Sequence, residues 1–286
     1  RAAQTAATLA ALEQDTKKKK TASRSRFNRK YAIIAAATAL AFVLGATVSY
    51  AVGDHVGRTT PIRIFAPPAQ THAVKTADGQ FDRLTALALA GNSKAELLVG
   101  LRYLKGLGAP IDEPRAAKWI VRASVSQDPL AQYWMGEIYE HGEGVSADAA
   151  EALRWYLAAA GQGNREAMYD VGIAYAEGLG AQKNLTQSAH WFEKAAMLGL
   201  TNAQFNLAVL YERGEGVPQS LRDAYVWYAV AAANGDTESR ARVDAIATQL
   251  NAPSLAAAKS AAATFHAAPL DRAANVMPNM GVRPGA

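Results

Sequence analysis

A single repeat length of 36 residues constrains the fold of this chain more than any other feature. The same step relates four tyrosines, four tryptophans and two sets of four glycines. These are Tyr103, Tyr139, Tyr175 and Tyr211; Trp119, Trp155, Trp191 and Trp227; Gly106, Gly142, Gly178 and Gly214; and Gly108, Gly144, Gly180 and Gly216. A period of this length is typical of helical solenoids, so we expect tandem helix-turn-helix units.

Each unit is predicted to contain two helices joined by a glycine-rich turn. In the fourth unit Ala203 and Tyr211 lie at helical spacing, and Gly214 and Gly216 then supply the positive φ that ends a helix. Asn184 is expected to cap the second helix of the third unit. Alanines at the helix contacts, together with the repeated tyrosines and tryptophans as packing residues, indicate that each hairpin buries its apolar face against the next. The sequence therefore predicts an all-α, right-handed α-solenoid.

The repeats have atypical ends, which an open stack of this kind needs for solubility. We predict four full repeats over about residues 88–235, inside a repeat domain that covers residues 81–267 with its capping helices. Residues 81–90 resemble the second helix of a degenerate unit, and residues 254–267 are expected to form a closing helix. Residues 268–286 are predicted to be a C-terminal tail too short to form a domain.

One membrane crossing is predicted ahead of the repeats. Residues 31–52 contain no charged side chain over 22 positions, and a helix of that length spans roughly 33 Å. Residues 1–30 carry nine basic and two acidic groups, so this segment is expected to stay in the cytoplasm while the rest is exported. Residues 53–80 are predicted to be a flexible linker. A cleaved signal peptide and a buried alanine-rich helix are the alternative interpretations of residues 31–52.

Composition argues against several classes of function. The chain has no cysteine, which excludes disulfides and thiolate metal sites. Its net charge of +5 comes from the leading basic segment, so nucleic-acid binding is not expected of the near-neutral repeats. None of the five histidines has a partner at metal-ligand spacing, and acidic pairs such as Glu137 and Glu140 are interpreted as solvated helix faces. We predict no enzyme activity, no metal and no cofactor.

The repeat unit resembles the Sel1-like repeat, a relative of the tetratricopeptide repeat. The second unit shows the pattern as AQYWMGEIYEHGEG followed by WYLAAAGQG, and the fourth as AQFNLAVLYERGEG followed by WYAVAAANG. The likeness covers about residues 88–250, with Ala208 in place of the glycine of the repeat and Ile120 where tyrosine or phenylalanine is usual. It implies a non-catalytic array that binds proteins.

A narrower likeness links the chain to the C-terminal half of PodJ-type polar localisation factors. It is carried by the run FNLAVLYERGEGVPQSLRDAYVWYAVAAANGD, the single upstream membrane span and the closing PLDRAANV. The resemblance implies a single-pass inner-membrane protein with a cytoplasmic N-terminus and periplasmic repeats that recruit polar or envelope proteins near peptidoglycan. It also implies further sequence upstream of Arg1. The alternative is a periplasmic regulator that binds and inhibits a membrane sensor or an envelope enzyme.

The partner-binding surface is expected on the concave face of the solenoid, which the first helices line. Residues there differ between repeats while the packing positions agree. The predicted binding residues are Trp134, Glu137, Asp170, Ile173, Asn206 and Val209. Trp134 is the tryptophan outside the packing register, so it is either a binding hot spot or an additional core contact.

Overall fold

A computed structural model describes residues 79–278 of the chain, and all statements about structure concern these residues. The predicted basic segment (residues 1–30) and membrane helix (residues 31–52) lie outside this range, as does almost all of the predicted linker (residues 53–80). Within the described range, no helix combines the length and the apolar character needed to cross a bilayer.

The described part of the chain is built of twelve α-helices. They are α1 (Gly79–Leu89), α2 (Ser93–Lys105), α3 (Glu113–Val125), α4 (Pro129–His141), α5 (Ala149–Gly161), α6 (Arg165–Glu177), α7 (Leu185–Met197), α8 (Thr201–Arg213), α9 (Leu221–Ala233), α10 (Thr237–Ala247), α11 (Ala252–Thr264) and α12 (Arg272–Asn275). No residue between 79 and 278 lies in a strand, which agrees with the predicted all-α class.

The helices form four hairpins that pack one against the next. The hairpins are α2/α3, α4/α5, α6/α7 and α8/α9, and every helix in them has 13 residues. The second helix of each hairpin also packs against the first helix of the following one. Helix α1 packs on α2 at one end, and α10 and α11 both pack on α9 at the other. The prediction of stacked helical hairpins is therefore confirmed.

A capping residue with the same 36-residue period begins the second helix of every hairpin. Asp112, Asp148, Asn184 and Ser220 each accept a hydrogen bond from a backbone N–H in the first turn that has no partner inside the helix. The backbone N–H of the same residue donates to the carbonyl of the repeated tyrosine, for example from Asn184 to Tyr175 over 2.7 Å. This bond closes the hairpin across its turn.

The two glycines of each turn have separate structural roles. The first ends the first helix with positive φ, at +71° for Gly142. The second lies against the backbone of the preceding repeat and leaves no room for a side chain. A Cβ at Gly144 would stand 2.2 Å from the carbonyl oxygen of Glu113. Gly180 and Gly216 approach the preceding repeat equally closely, at 2.2 Å from the carbonyl oxygens of Ala149 and Leu185 respectively. The Gly-x-Gly turn therefore sets the spacing between hairpins.

Within each hairpin a small residue of the first helix packs against a large one of the second. A Cβ at Gly136 would lie 2.4 Å from the ring of Tyr156, and one at Gly172 would lie 2.6 Å from the ring of Phe192.

Of the predicted packing residues, Trp119 and Trp155 are buried, while Trp191, Trp227 and the four repeated tyrosines are half-buried.

The chain does not end at the closing helix. The helix predicted over residues 254–267 runs from Ala252 to Thr264, because Asn251 caps it and Pro253 occupies its first turn. Residues 265–276 then return along the array, and their short helix α12 packs against α4 and α6. The C-terminal segment is therefore in contact with the second and third repeats.

Candidate protein-interaction surface

The six predicted partner-binding residues differ in exposure. Trp134 and Glu137, both on α4, are half-buried and reach the surface. The other four are Asp170 and Ile173 on α6 and Asn206 and Val209 on α8, and each is at most 7% exposed. Of the six predicted binding residues, Trp134 and Glu137 are therefore the two that a partner can reach.

Trp134 combines a core contact with an accessible edge. It packs against the buried apolar cluster that includes Leu101 and Ile138. The ammonium of Lys105 lies 4.6 Å from the centre of its ring, and Tyr133 meets it edge to face at 5.8 Å. A half-buried indole held by neighbours on both sides is suited to a binding hot spot, because little side-chain freedom is lost when a partner covers it.

Beside Trp134, the hydroxyl of Tyr156 joins two carboxylates of α4. It lies 2.8 Å from Glu137 Oε1 and 2.7 Å from Glu140 Oε2, so the two carboxylates share one phenolic proton as hydrogen-bond donor. Burial raises the pKa of Tyr156 well above its usual value, and the nearby charges of Asp170 and both glutamates raise it further. The phenol therefore stays protonated and holds the acidic side chains in place.

Glu137, Glu140 and His141 bring possible metal-ligand atoms within 4.8 Å of one another. The sequence predicted no metal ligand here. The phenol of Tyr156 accounts for the approach of the two carboxylates, and His141 Nε2 lies 3.7 Å from Glu137 Oε2. The cluster is thus already explained by hydrogen bonds and charge within the protein.

The buried polar side chains link neighbouring helices. Asn206 Nδ2 donates to the hydroxyl of Tyr169 over 3.4 Å, which joins α8 to α6. In the fourth repeat the amide of Asn234 donates to Gln204 Oε1 over 3.0 Å, and Gln204 is fully buried. The bond to Tyr169 gives Asn206 a structural role that was not predicted from its position on a first helix.

A second surface runs across the turns that join one repeat to the next. We call it the junction strip and define it by Gly163, Asn164, Arg165, Met197, Leu198 and Gly199. Residues 265–276 lie on it. The backbone N–H of Ala268 donates to the carbonyl of Met197 over 2.9 Å. An open crevice of about 370 Å³ lies between the strip and the C-terminal segment.

This surface was not predicted from the sequence. Its contacts join positions far apart in the chain, 110 residues for Asn164 and Ala274. They do not recur with the 36-residue period, so alignment of the repeats carries no signal for them. The one sequence feature that bears on them is Asp271, which begins a helical turn by accepting from the backbone N–H of Ala273.

Comparison with known proteins identifies the repeat unit. The Sel1 repeat profile matches four consecutive segments, residues 93–124, 129–164, 165–200 and 201–236. Each segment contains one hairpin, α2/α3, α4/α5, α6/α7 or α8/α9. No curated protein sequence matches the chain significantly.

Two solved structures share the fold and a substantial part of the sequence. The protective antigen c5321 of uropathogenic Escherichia coli, which displays an SLR fold, is 32% identical over 64% of this chain and 40% of its own length, with a TM-score of 0.58. A Sel1 repeat protein of Oxalobacter formigenes is 35% identical over 58% of this chain and 48% of its own length, with a TM-score of 0.55. This chain therefore spans less than half the length of either structure.

Proposed function

Residues 93–236 of this chain belong to the Sel1 repeat family, and we propose from this that the chain is a scaffold whose repeats bind partner proteins. Sel1 repeats typically mediate protein–protein interactions, and the family is generally non-catalytic. The observation that carries the proposal is the stack of four matching hairpins with a half-buried aromatic and acidic face on α4. Such a stack offers an extended surface on which packing residues repeat and surface residues differ.

We further propose that residues 31–52 anchor this scaffold in an inner membrane, with the repeats on the periplasmic side and polar or envelope proteins as partners. The run of 22 residues without charge and the basic groups ahead of it support the anchor and its direction. The resemblance of the closing PLDRAANV and of the fourth repeat to PodJ-type factors supports polar localisation.

Partner binding is tested by truncating one tryptophan on the surface. Trp134→Ala removes the indole of α4, whereas Trp191→Ala removes an equally half-buried indole at a position where all four repeats have tryptophan. In affinity capture from cells, we expect the first variant to lose partners while the second retains them once both are shown to be folded by circular dichroism. Equal capture by the two variants would place the binding surface elsewhere.

Topology and localisation need a separate experiment. A fluorescent protein that matures only in the cytoplasm and a phosphatase that is active only outside it are fused in turn after Ala286. We expect phosphatase activity without fluorescence, because the proposed span exports the C-terminus. A fluorescent protein that matures in the periplasm then reports location. A signal spread evenly around the envelope would refute polar localisation and favour a regulator of a membrane sensor or envelope enzyme.

A further inference from the structure

The C-terminal segment returns along the repeats in the direction opposite to their order. Phe265 meets Trp227 of the fourth repeat edge to face at 5.4 Å. Ala268 then bonds to Met197 at the junction of the third and fourth repeats. Asn275 finally reaches the junction of the second and third repeats. A segment of irregular backbone that ends in the short helix α12 thus steps from one repeat junction to the next.

Asn275 contacts the strip through both the oxygen and the nitrogen of its side-chain amide. Oδ1 accepts from the backbone N–H of Arg165 over 2.9 Å, and this N–H belongs to the first turn of α6, where it has no partner inside the helix. Nδ2 donates to the carbonyl of Gly163 over 2.9 Å. A carboxylate could accept the first bond but has no proton for the second, so the junction favours asparagine over aspartate.

The residue before the asparagine is recognised as well. Asn164 Nδ2 donates to the backbone carbonyl of Ala274 over 2.5 Å, and the methyl group of Ala274 is fully buried. A larger side chain has no room there. Four residues earlier, Leu270 lines the crevice with Val230 and Ala262, which gives an apolar side chain a place at that spacing. The junction strip therefore selects the pattern Leu-x-x-x-Ala-Asn.

Little apolar burial holds the segment in place. Of residues 265–278 only Ala274 is buried, and Val276 and Met277 are at least 40% exposed. The bonds at the junctions are made to backbone groups of the strip or to Asn164, so a peptide with the same pattern and the same helical turn can make them. A segment held in this way is open to exchange with an equivalent one.

We propose that the junction strip is a binding site for segments of partner proteins that carry the Leu-x-x-x-Ala-Asn pattern and form a single helical turn at its end, as residues 272–275 do. Residues 265–276 are its resident internal ligand, which a partner segment displaces. This inference rests on the proposed scaffold function and specifies both the surface used and the chemistry of the segment bound there. It predicts that the resident segment competes with the partner.

The test uses the full chain and a fluorescently labelled peptide AAPLDRAANVMP, which is the sequence of residues 267–278. Asn275→Ala removes the two bonds that join Asn275 to the strip, so the peptide should bind this variant at least tenfold more tightly than the unmodified chain. A peptide with its own asparagine replaced by alanine should bind at least tenfold more weakly. Fluorescence anisotropy measures both. If Asn275→Ala leaves Ala268 protected from hydrogen exchange, Ala274→Arg is used to release the segment.

A matched pair of variants tests the strip itself. Asn164→Asp in the Asn275→Ala chain keeps the cap of α6, because Asp128 caps the equivalent helix α4, but it removes the donor to the peptide carbonyl. We expect it to abolish peptide binding. Asn92→Asp, at the equivalent cap of α2, should leave peptide binding unchanged.

Three results would overturn the proposal. One is equal peptide binding with and without Asn164→Asp, and another is no binding to a chain whose segment is demonstrably released. The third is concentration-dependent dimerisation of the unmodified chain that Asn275→Ala abolishes, because it would make the C-terminus of a second copy the occupant. Partner capture that persists despite any of these results leaves the scaffold function standing, whereas loss of all capture by folded repeats refutes it.

Discussion

Gln127 departs from the repeat at a position where backbone conformation matters. It has φ of +58° in the turn between the first and second repeats. Gly91, Gly163, Gly199 and Gly235 occupy the equivalent positions, all with positive φ. A residue with a Cβ in this conformation costs about 1–2 kcal/mol. Gln127→Gly removes that cost but gives the unfolded chain more freedom, so we expect a net gain of about 0.5–1 kcal/mol in the free energy of unfolding.

Urea denaturation measures this change. Gln127→Ala is the control, because it shortens the same exposed side chain without removing the Cβ, and it should leave stability nearly unchanged. Destabilisation by the glycine variant would mean that the glutamine side chain makes a contribution that outweighs the backbone strain.

The second and third repeats both pack an aromatic ring of the second helix against a glycine of the first, but with different polar groups around the ring. In α4/α5 the ring of Tyr156 lies on Gly136 and its hydroxyl bonds to Glu137 and Glu140. In α6/α7 the corresponding Phe192 lies on Gly172 and has no hydroxyl, and the two positions of the glutamates hold Ile173 and Ala176. From the second repeat to the third the aromatic ring is kept, while the hydroxyl and the two carboxylates that it binds are lost together.

This comparison predicts how Tyr156→Phe behaves. Loss of the hydroxyl leaves two half-buried carboxylates without their shared donor, and we expect a loss of about 2 kcal/mol in the free energy of unfolding. Adding Glu137→Ile and Glu140→Ala recreates the third repeat and should recover most of that loss. Thermal denaturation of the single and triple variants checks this. A triple variant no more stable than Tyr156→Phe alone would show that the two repeats are not interchangeable.

The contact between α8 and α10 makes stability depend on pH. Partial burial of Glu212 raises its pKa, but hydrogen bonds from Arg242 and Tyr228 outweigh this effect and lower the pKa below the usual 4.5. The stabilising contribution is therefore complete above that value and is lost as pH falls through the lowered pKa.

Replacing the carboxylate with an amide isolates this contribution. At pH 7 we expect Glu212→Gln to cost about 1 kcal/mol, because the ion pair is partly exposed to solvent. The difference between variant and unmodified chain should shrink as pH falls through the lowered pKa of Glu212, because the protonated carboxyl is then uncharged like the amide. Urea denaturation across this pH range measures it. Glu215→Gln, an exposed glutamate in the following turn, is the control. A difference independent of pH would show that charge is not the cause.

The repeat period was enough to predict the hairpins, their Gly-x-Gly turns and the cap at Asn184, because these depend on contacts within a repeat or with the next one. The burial of Asp170 and Asn206 was not predicted, since it depends on contacts that side chains at these positions make in one repeat and not in the others. Nor was the return of residues 265–276, whose bonds to Gly163 and Asn164 cross about 110 residues of sequence. Periodicity identifies what every repeat shares, while these features occur once.

The repeat domain is a nearly one-dimensional object, in which each hairpin is stabilised mainly by its neighbours. The C-terminal segment modifies this arrangement, because α12 packs on α4 and α6 while α11 packs on α9. Repeats two, three and four are therefore also connected by the returning chain. The first repeat meets the second through the packing of α3 on α4 and through the Gly-x-Gly turn of the second repeat.

Weakening the contact at Gly144 should separate the molecule into parts of unequal stability. Gly144→Ala places a Cβ against the carbonyl of Glu113, which adds about 1–3 kcal/mol of steric cost to the cost of positive φ. In native-state hydrogen exchange, we expect the amides of α2 and α3 to open at markedly lower free energy than those of α6 to α9. Gly91→Ala has a similar φ of +87° but open space around its Cβ, so its effect should be limited to the backbone cost. Uniform loss of protection in all four hairpins of the Gly144→Ala chain would mean that they unfold as a single cooperative unit.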